Sequence, residues 1–269
     1  MDYKIVFSDI DGTLLNEKRE LSETTILEIK KLKDKVPFIL ISARMPDAMK
    51  HLQKELEIEA LPIISYNGGL VIVDDTVVSS TEISLEIIED LSAMNAELKC
   101  HLSLYHKDEW YVPEMDQWAL REENNTKVAP QVKSNSEVIQ KWRSENKGAH
   151  KIMAMGDEAH IDQIRDFLVR KYPDELHLYR SKNTYLEIAN KKISKFTAIE
   201  FLLKQHYRIP TEEAIAIGDN YNDVEMLRNI GYGIAVGNAR PEALEASNFI
   251  AEKSIEDGVA KSLMKIFGF

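Results

Sequence analysis

The chain has 269 residues, 44% of them hydrophobic and 29% charged, which suits a soluble globular protein of one large or two smaller domains. Its 34 basic and 45 acidic side chains leave a net charge of −11, which argues against nucleic-acid or anionic-membrane partners, since both need a basic surface. The single cysteine, Cys100, excludes an intrachain disulfide; with no run of about 18 apolar residues and no leader-like start, a cytoplasmic protein is expected.

Residues 3–8 form a short, nearly continuous apolar run that stops at Asp9-Ile10-Asp11-Gly12. Such a run suits a strand buried on both faces of a parallel sheet, with its carboxyl end at the edge where ligands bind. A period of two would set Asp9 and Asp11 on one side, two like charges that need a cation or a shared proton. By itself the pair is equally a solvated turn. A helix is predicted over 22–34 with Ser22 as its cap, then a strand over 36–42 ending at Ser42-Ala43-Arg44. A helix over 47–56 and a strand over 62–66 follow, running into Asn67-Gly68-Gly69. This alternation predicts a doubly wound parallel sheet.

The rhythm then changes. A small hairpin at 70–78 precedes paired strands at 101–105 and 109–112, 176–179 and 185–188, a strand at 151–155, and helices at 84–98, 116–123, 136–147 and 158–171. An α+β module inserted over 83–184 is expected, with 1–82 and 185–269 as the core. From Ser194 the parallel rhythm returns. A helix opens at Lys195, a strand over 214–217 ends at Gly218-Asp219-Asn220, and further strands and helices reach the last apolar stripe of Val259, Leu263 and Phe267.

Parallel topology would bring Asp9, Asp11, Ser42, Lys195, Asp219 and Asp223 to one sheet edge. Lys195 alone could be a solvated lysine at a helix start, and Asp223 alone a helix cap. Three converging carboxylates, however, would repel strongly without a hard divalent cation, and oxygen ligands without nearby His or Cys point to Mg²⁺. The seven histidines show no ligand spacing and read as surface or structural residues.

The segments Asp9-Ile10-Asp11-Gly12-Thr13-Leu14, Ile41-Ser42-Ala43-Arg44, Ile193-Ser194-Lys195 and Gly218-Asp219-Asn220-Tyr221-Asn222-Asp223 occur in the order of the four motifs of the haloacid dehalogenase-like hydrolases. The chain resembles that family, and within it the Cof-type phosphatases, whose large cap lies between the second and third motifs. It departs at Ala43 and Phe196, where glycine is usual, and at Ser254, often asparagine.

The resemblance implies a Mg²⁺-dependent phosphatase of small phosphorylated metabolites. It makes Asp9 the nucleophile and Asp11 the acid and base. Asp9, the Asp11 carbonyl and Asp219 would hold the metal, with Asp223 as a further or supporting ligand. Lys195, Ser42, Asn222 and the amides of Ile10 and Ala43 would hold phosphoryl oxygens. Read from their positions at strand ends, Arg44, Asn67 and Gly68 could touch substrate, although Asn67-Gly68-Gly69 is equally a turn. The same fold could serve a phosphosugar mutase. A non-catalytic phosphate sensor would leave the inserted module unexplained.

Overall fold

The computed structural model describes residues 3–33 and 35–268. Two compact units emerge, residues 1–78 with 194–269, and residues 79–193. In chain order the first contributes β1 (Ile5–Ser8), α1 (Glu23–Leu32), β2 (Phe38–Ile41), α2 (Asp47–Leu56), β3 (Ile63–Ser65), β4 (Leu70–Val73) and β5 (Thr76–Ser80). The second contains α3 (Leu85–Leu98), β6 (His101–His106), β7 (Glu109–Val112), α4 (Gln117–Thr126), β8 (Gln131–Val132), α5 (Asn135–Glu145), β9 (Lys151–Met155), α6 (Glu158–Lys171), β10 (Leu176–Lys182) and β11 (Tyr185–Asn190). The first unit resumes with α7 (Lys195–Leu202), β12 (Ala214–Gly218), α8 (Val224–Asn229), β13 (Tyr232–Ala235), α9 (Pro241–Ala246), β14 (Phe249–Ile250) and α10 (Gly258–Phe267).

The expected α1 is present with Ser22 accepting the Thr25 N–H as cap, but it ends at Leu32; Asp34 lies outside the described residues. The first unit's sheet runs β14-β13-β12-β1-β2-β3-β4-β5, parallel from β14 to β3 and antiparallel from β3 to β4. Alternate residues of each central strand enter opposite apolar layers. Val6, Phe38, Leu40, Ile215 and Ile217 pack with Ile29, Leu52 and Leu263 of α1, α2 and α10. Ile5, Phe7, Ile39, Ile41, Ala214 and Ala216 pack with Ile199, Leu227 and Ala243 of α7, α8 and α9. Burial on both faces explains the unbroken apolar runs.

The second unit's sheet runs β10-β11-β9-β6-β7-β8, antiparallel except between β7 and β8. Leu102, Leu104, Ile152, Ala154, Leu186 and Ile188 pack against Leu91, Trp142 and Ile164 of α3, α5 and α6. The boundary expected after Thr184 moves to 193, because β11 pairs with both β10 and β9, and a break before Tyr185 would divide one sheet. Strand β8 is absent from the sequence reading, since two exposed residues carry no periodic signal. Among the described residues, no helix is long and apolar enough to cross a membrane.

Phe7, fully buried between the sheet and α7–α9, tests the two-layer packing. Phe7→Ala should lower the unfolding free energy by about 3–5 kcal/mol in urea titration. A loss below about 1 kcal/mol would mean that this layer is not closely packed.

Candidate active site

Strands β12, β1 and β2 are neighbours and run parallel, so Asp219, Asp9 and Ser42 all follow their carboxyl ends. Asp9 leaves β1 with its N–H donating to the Ile217 carbonyl at 2.9 Å, which continues the ladder one residue past the strand. Gly12 then turns the chain with φ of +85°, and a Cβ there would lie 2.5 Å from Asp219 Oδ2. Glycine is thus required twice over, by the backbone angle and by the approach of the carboxylate. Gly218 has the same steric role against Asp223, whose Cβ and Cγ would lie 2.6 Å from an added methyl.

Lys195 opens α7, capped by Ser194, and its side chain is fully buried. Its Nζ donates to Asp9 Oδ1 at 2.5 Å and to Asp223 Oδ1 at 2.6 Å. Asp223 Oδ2 accepts the N–H groups of Asp219 and Asn220, both at 2.9 Å, so this carboxylate also caps the turn that carries it. Thr13 Oγ1 donates to Asp219 Oδ1 at 2.8 Å. Carboxylate oxygens of Asp9, Asp219 and Asp223 all lie within 4.8 Å of one another.

Charge sets the chemistry of this cluster. Burial pushes the Asp9 carboxyl well above its ordinary range; Lys195 opposes the shift, while Asp223 and Asp219 reinforce it. Burial and Asp223 push Asp219 up to about 6. Burial disfavours the Lys195 ammonium, but Asp223 and Asp9 together overcome it and raise its pKa. Three ionised acids facing one lysine would leave two negative charges uncompensated. That deficit, in an all-oxygen donor set, is what a hard divalent cation would relieve. Asp9 and Asp219 could hold it directly. Asp223, whose oxygens already serve Lys195 and two backbone amides, would contribute charge from behind.

Asp11 stands apart from this cluster. Its carboxylate accepts two hydrogen bonds from the Arg44 fork, Nε to Oδ2 and Nη2 to Oδ1, both 2.7 Å, with Arg19 Nη1 at 3.4 Å. Burial alone would raise its pKa, but hydrogen bonding and charge from Arg44, helped by Arg19, carry it below the usual carboxylate range. Arg44, expected beside substrate, places its guanidinium on Asp11 and on the Ala48 carbonyl at 3.1 Å. Gly68, also expected there, packs its backbone on the start of α7, where a Cβ would lie 2.5 Å from the Ser194 carbonyl oxygen.

Ser42 is buried, and its Oγ accepts the Arg44 N–H at 3.2 Å. The Ile10 side chain belongs to the apolar core, so only its backbone is available to a ligand. Asn222 Nδ2 donates to Asn67 Oδ1 at 2.9 Å. Two polar residues without an assigned role in the sequence reading take part: Thr13 on Asp219, and Asn238, whose Nδ2 donates to the Gly12 carbonyl at 2.8 Å. Thr13 lies inside the first motif, but nothing in the spacing of either residue shows which neighbour it holds.

The second unit has its own cluster, in which Glu82, His106 and His150 offer ligand atoms within 4.8 Å. His150 Nδ1 accepts the Lys107 N–H at 3.2 Å, which leaves the ring proton on Nε2, facing Ser80 Oγ at 3.0 Å. Ser80 donates on to Glu82 Oε1 at 3.1 Å, and His106 Nδ1 donates to the Gly148 carbonyl at 2.9 Å. The protonated His106 Nδ1 and His150 Nε2 offer no lone pair to a cation, whereas His106 Nε2 keeps one and has no hydrogen-bond partner. This cluster reads as a hydrogen-bonded staple of residues 80–82 to 148–150.

The raised Asp219 pKa carries a pH signature. In metal-free protein the folded state binds a proton between pH 3.8 and about 6 that the unfolded state has lost, so stability falls as pH rises through that window. Asp219→Asn, measured by denaturant titration in chelator, should match the parent near pH 4 and exceed it at pH 7.5 by about 1–3 kcal/mol. Parallel stability curves for the two proteins would remove the assigned charge deficit.

The profile of the haloacid dehalogenase-like hydrolases matches residues 6–263. A protein of Haemophilus influenzae is 31% identical over 271 residues, covering 99% of each chain. A Bacillus subtilis protein named 5-amino-6-(5-phospho-D-ribitylamino)uracil phosphatase YcsE is 27% identical over 269 residues, covering 98% of this chain and 95% of its own. Among solved structures, a haloacid dehalogenase-like hydrolase from Bacteroides thetaiotaomicron has a TM-score of 0.89 at 26% identity, covering 98% of this chain and 100% of that one. With buried carboxylates and a lysine gathered at the ends of parallel strands, and family likeness along nearly its whole length, this chain belongs to the haloacid dehalogenase-like hydrolases and is a phosphatase.

Proposed function

We propose that this phosphatase uses Mg²⁺ to hydrolyse small phosphomonoesters of polyhydroxylated carbon chains, sugar phosphates or similar, through a phosphoaspartyl intermediate. The observation that carries the reading is the buried Lys195 ammonium between Asp9 and Asp223, with Asp219 beside them. The ester class draws support from the Bacillus relative, whose named substrate carries its phosphate on a ribityl chain.

Bound Mg²⁺ would neutralise the approach of an anionic carboxylate to an anionic phosphate. The chain's own groups do the rest. An Asp9 carboxylate oxygen forms a bond to phosphorus as the ester oxygen–phosphorus bond breaks. Lys195 keeps Asp9 oriented and places positive charge beside the oxygens that gain negative charge. Ser42 Oγ–H, an Asn222 amide hydrogen and the backbone amides of Ile10 and Ala43 donate to the phosphoryl oxygens. Asp11 gives its proton to the departing alkoxide and then takes one from the water that attacks the phosphoaspartate. In the resting protein Asp11 is ionised and clamped by Arg44, so turnover requires it to release Arg44 and acquire a proton. The inserted unit would choose the leaving group.

Three measurements test this. Hydrolysis of a panel of phosphorylated polyols should stop in chelator and return with Mg²⁺; undiminished turnover in excess chelator would remove the metal. Asp9→Asn should abolish phosphate release without unfolding, and activity near the parent's would put the nucleophile elsewhere. For Asp11→Asn, loss of an acid–base group costs about 10²–10⁴ in rate. Sugar phosphates should lose this factor, whereas 4-nitrophenyl phosphate, whose leaving group departs unaided, should give a burst near one equivalent and a hydroxylamine-sensitive phosphoenzyme. Equal losses without a burst would reject the acid–base role.

A further inference from the structure

The segment after β3 is held in an unusual conformation. Tyr66, Asn67 and Gly68 have φ of +53°, +56° and +100°, three successive residues on the left-handed side. Such geometry is costly for a bulky residue like tyrosine and persists only where surroundings impose it. Here they do. The Asn67 N–H donates to the Ser42 carbonyl at 2.9 Å, and the Tyr66 N–H donates to the Arg44 carbonyl at 3.2 Å. Gly68 abuts the Ser194 carbonyl at the head of α7. The strap therefore touches the loop after β2 and the start of the lysine helix, and it reaches the loop after β12 through the side-chain bond from Asn222 Nδ2 to Asn67 Oδ1 at 2.9 Å.

The main-chain hydrogen bonds from the strap to Ser42 and Arg44 are made without that bond. Its effect falls on Asn222. A terminal amide rotates over a broad torsional range, so it can present oxygen or nitrogen to a neighbour. An oxygen turned toward a phosphoryl group would repel it. Asn67 is buried, and its amide oxygen accepts one Asn222 N–H, which fixes the nitrogen side and leaves the second N–H of the same group to donate. We propose that Asn67 is a positioning residue that sets the Asn222 amide for the phosphoryl group. The inference rests on the phosphoryl-binding reading of Asn222 given above.

A mutant cycle separates this role from a structural one. Glycine adopts φ of +56° without strain, so Asn67→Gly removes the amide and leaves the backbone free to keep its path. Asn67→Asp keeps both an acceptor oxygen and tolerance of the left-handed region. The quantity read is the factor by which Asn222→Ala lowers kcat/KM for 4-nitrophenyl phosphate, with the inhibition constant of inorganic phosphate as a second readout. Asn67→Gly alone should lower kcat/KM about three- to tenfold, the range of one net hydrogen bond. Asn222→Ala should cost its full factor in the parent and in the Asn67→Asp background, and nearly nothing further in the Asn67→Gly background. The same factor in all three backgrounds would overturn the inference while leaving Asn222 as a phosphoryl ligand. No effect of Asn222→Ala on either readout would remove the Asn222 reading, and this inference with it.

Discussion

A buried lysine between two aspartates is the constraint around which the first unit is arranged. An ammonium withdrawn from water is tolerable only when paired and hydrogen-bonded, and breaking such a pair by removing one partner leaves a costly unpaired charge. Lys195 meets the condition with Asp9 from the end of β1 and Asp223 from the turn after β12. Three distant stretches must therefore arrive together, or none is stable alone. The flanking backbone follows suit. Gly12 and Gly218 have no side chain because the Asp219 and Asp223 side chains occupy the space a Cβ would need.

The same constraint makes the site reactive rather than merely stable. A lysine matched by one carboxylate would be a quiet structural pair. Here two further acids crowd it, so burial and mutual repulsion push Asp9 and Asp219 upward. Asp11 has the opposite environment two residues away, where the Arg44 fork draws it down. Two aspartates on one short loop thus have different proton affinities, which is the usual way a protein assigns different tasks to identical side chains.

The core was legible in the sequence because strands covered on both faces leave uninterrupted apolar runs, and the polar residues that end them stand out. Asp9, Ser42 and Asp219 are of this kind. Lys195 became legible only through the order of motifs, since a lysine at a helix start has no distinctive local pattern. The orientation of Arg44 toward Asp11 was not legible at all. It depends on a contact between two loops, and charge alone suits a phosphate equally well. Asn67 was ambiguous for a related reason: Asn-Gly-Gly describes a turn, and its three-way anchorage exists only after β2, α7 and the loop after β12 have assembled. The boundary of the inserted unit was missed at its far end because β11 reads alike as the last strand of one sheet or the first of another.

Strand order has a consequence during synthesis. β1 lies between β2 and β12, so Ile5–Ser8 belong to the middle of the sheet although they precede its other strands in the chain. β2 can cover one side of β1 at once, whereas β12 begins at Ala214, after the whole inserted unit. At ribosomal rates of about 5–20 residues per second, β1 has an open, largely apolar edge for on the order of ten to forty seconds. Such an edge is a ready template for pairing with another chain. The interval shortens with any change that trims the insertion rather than the core.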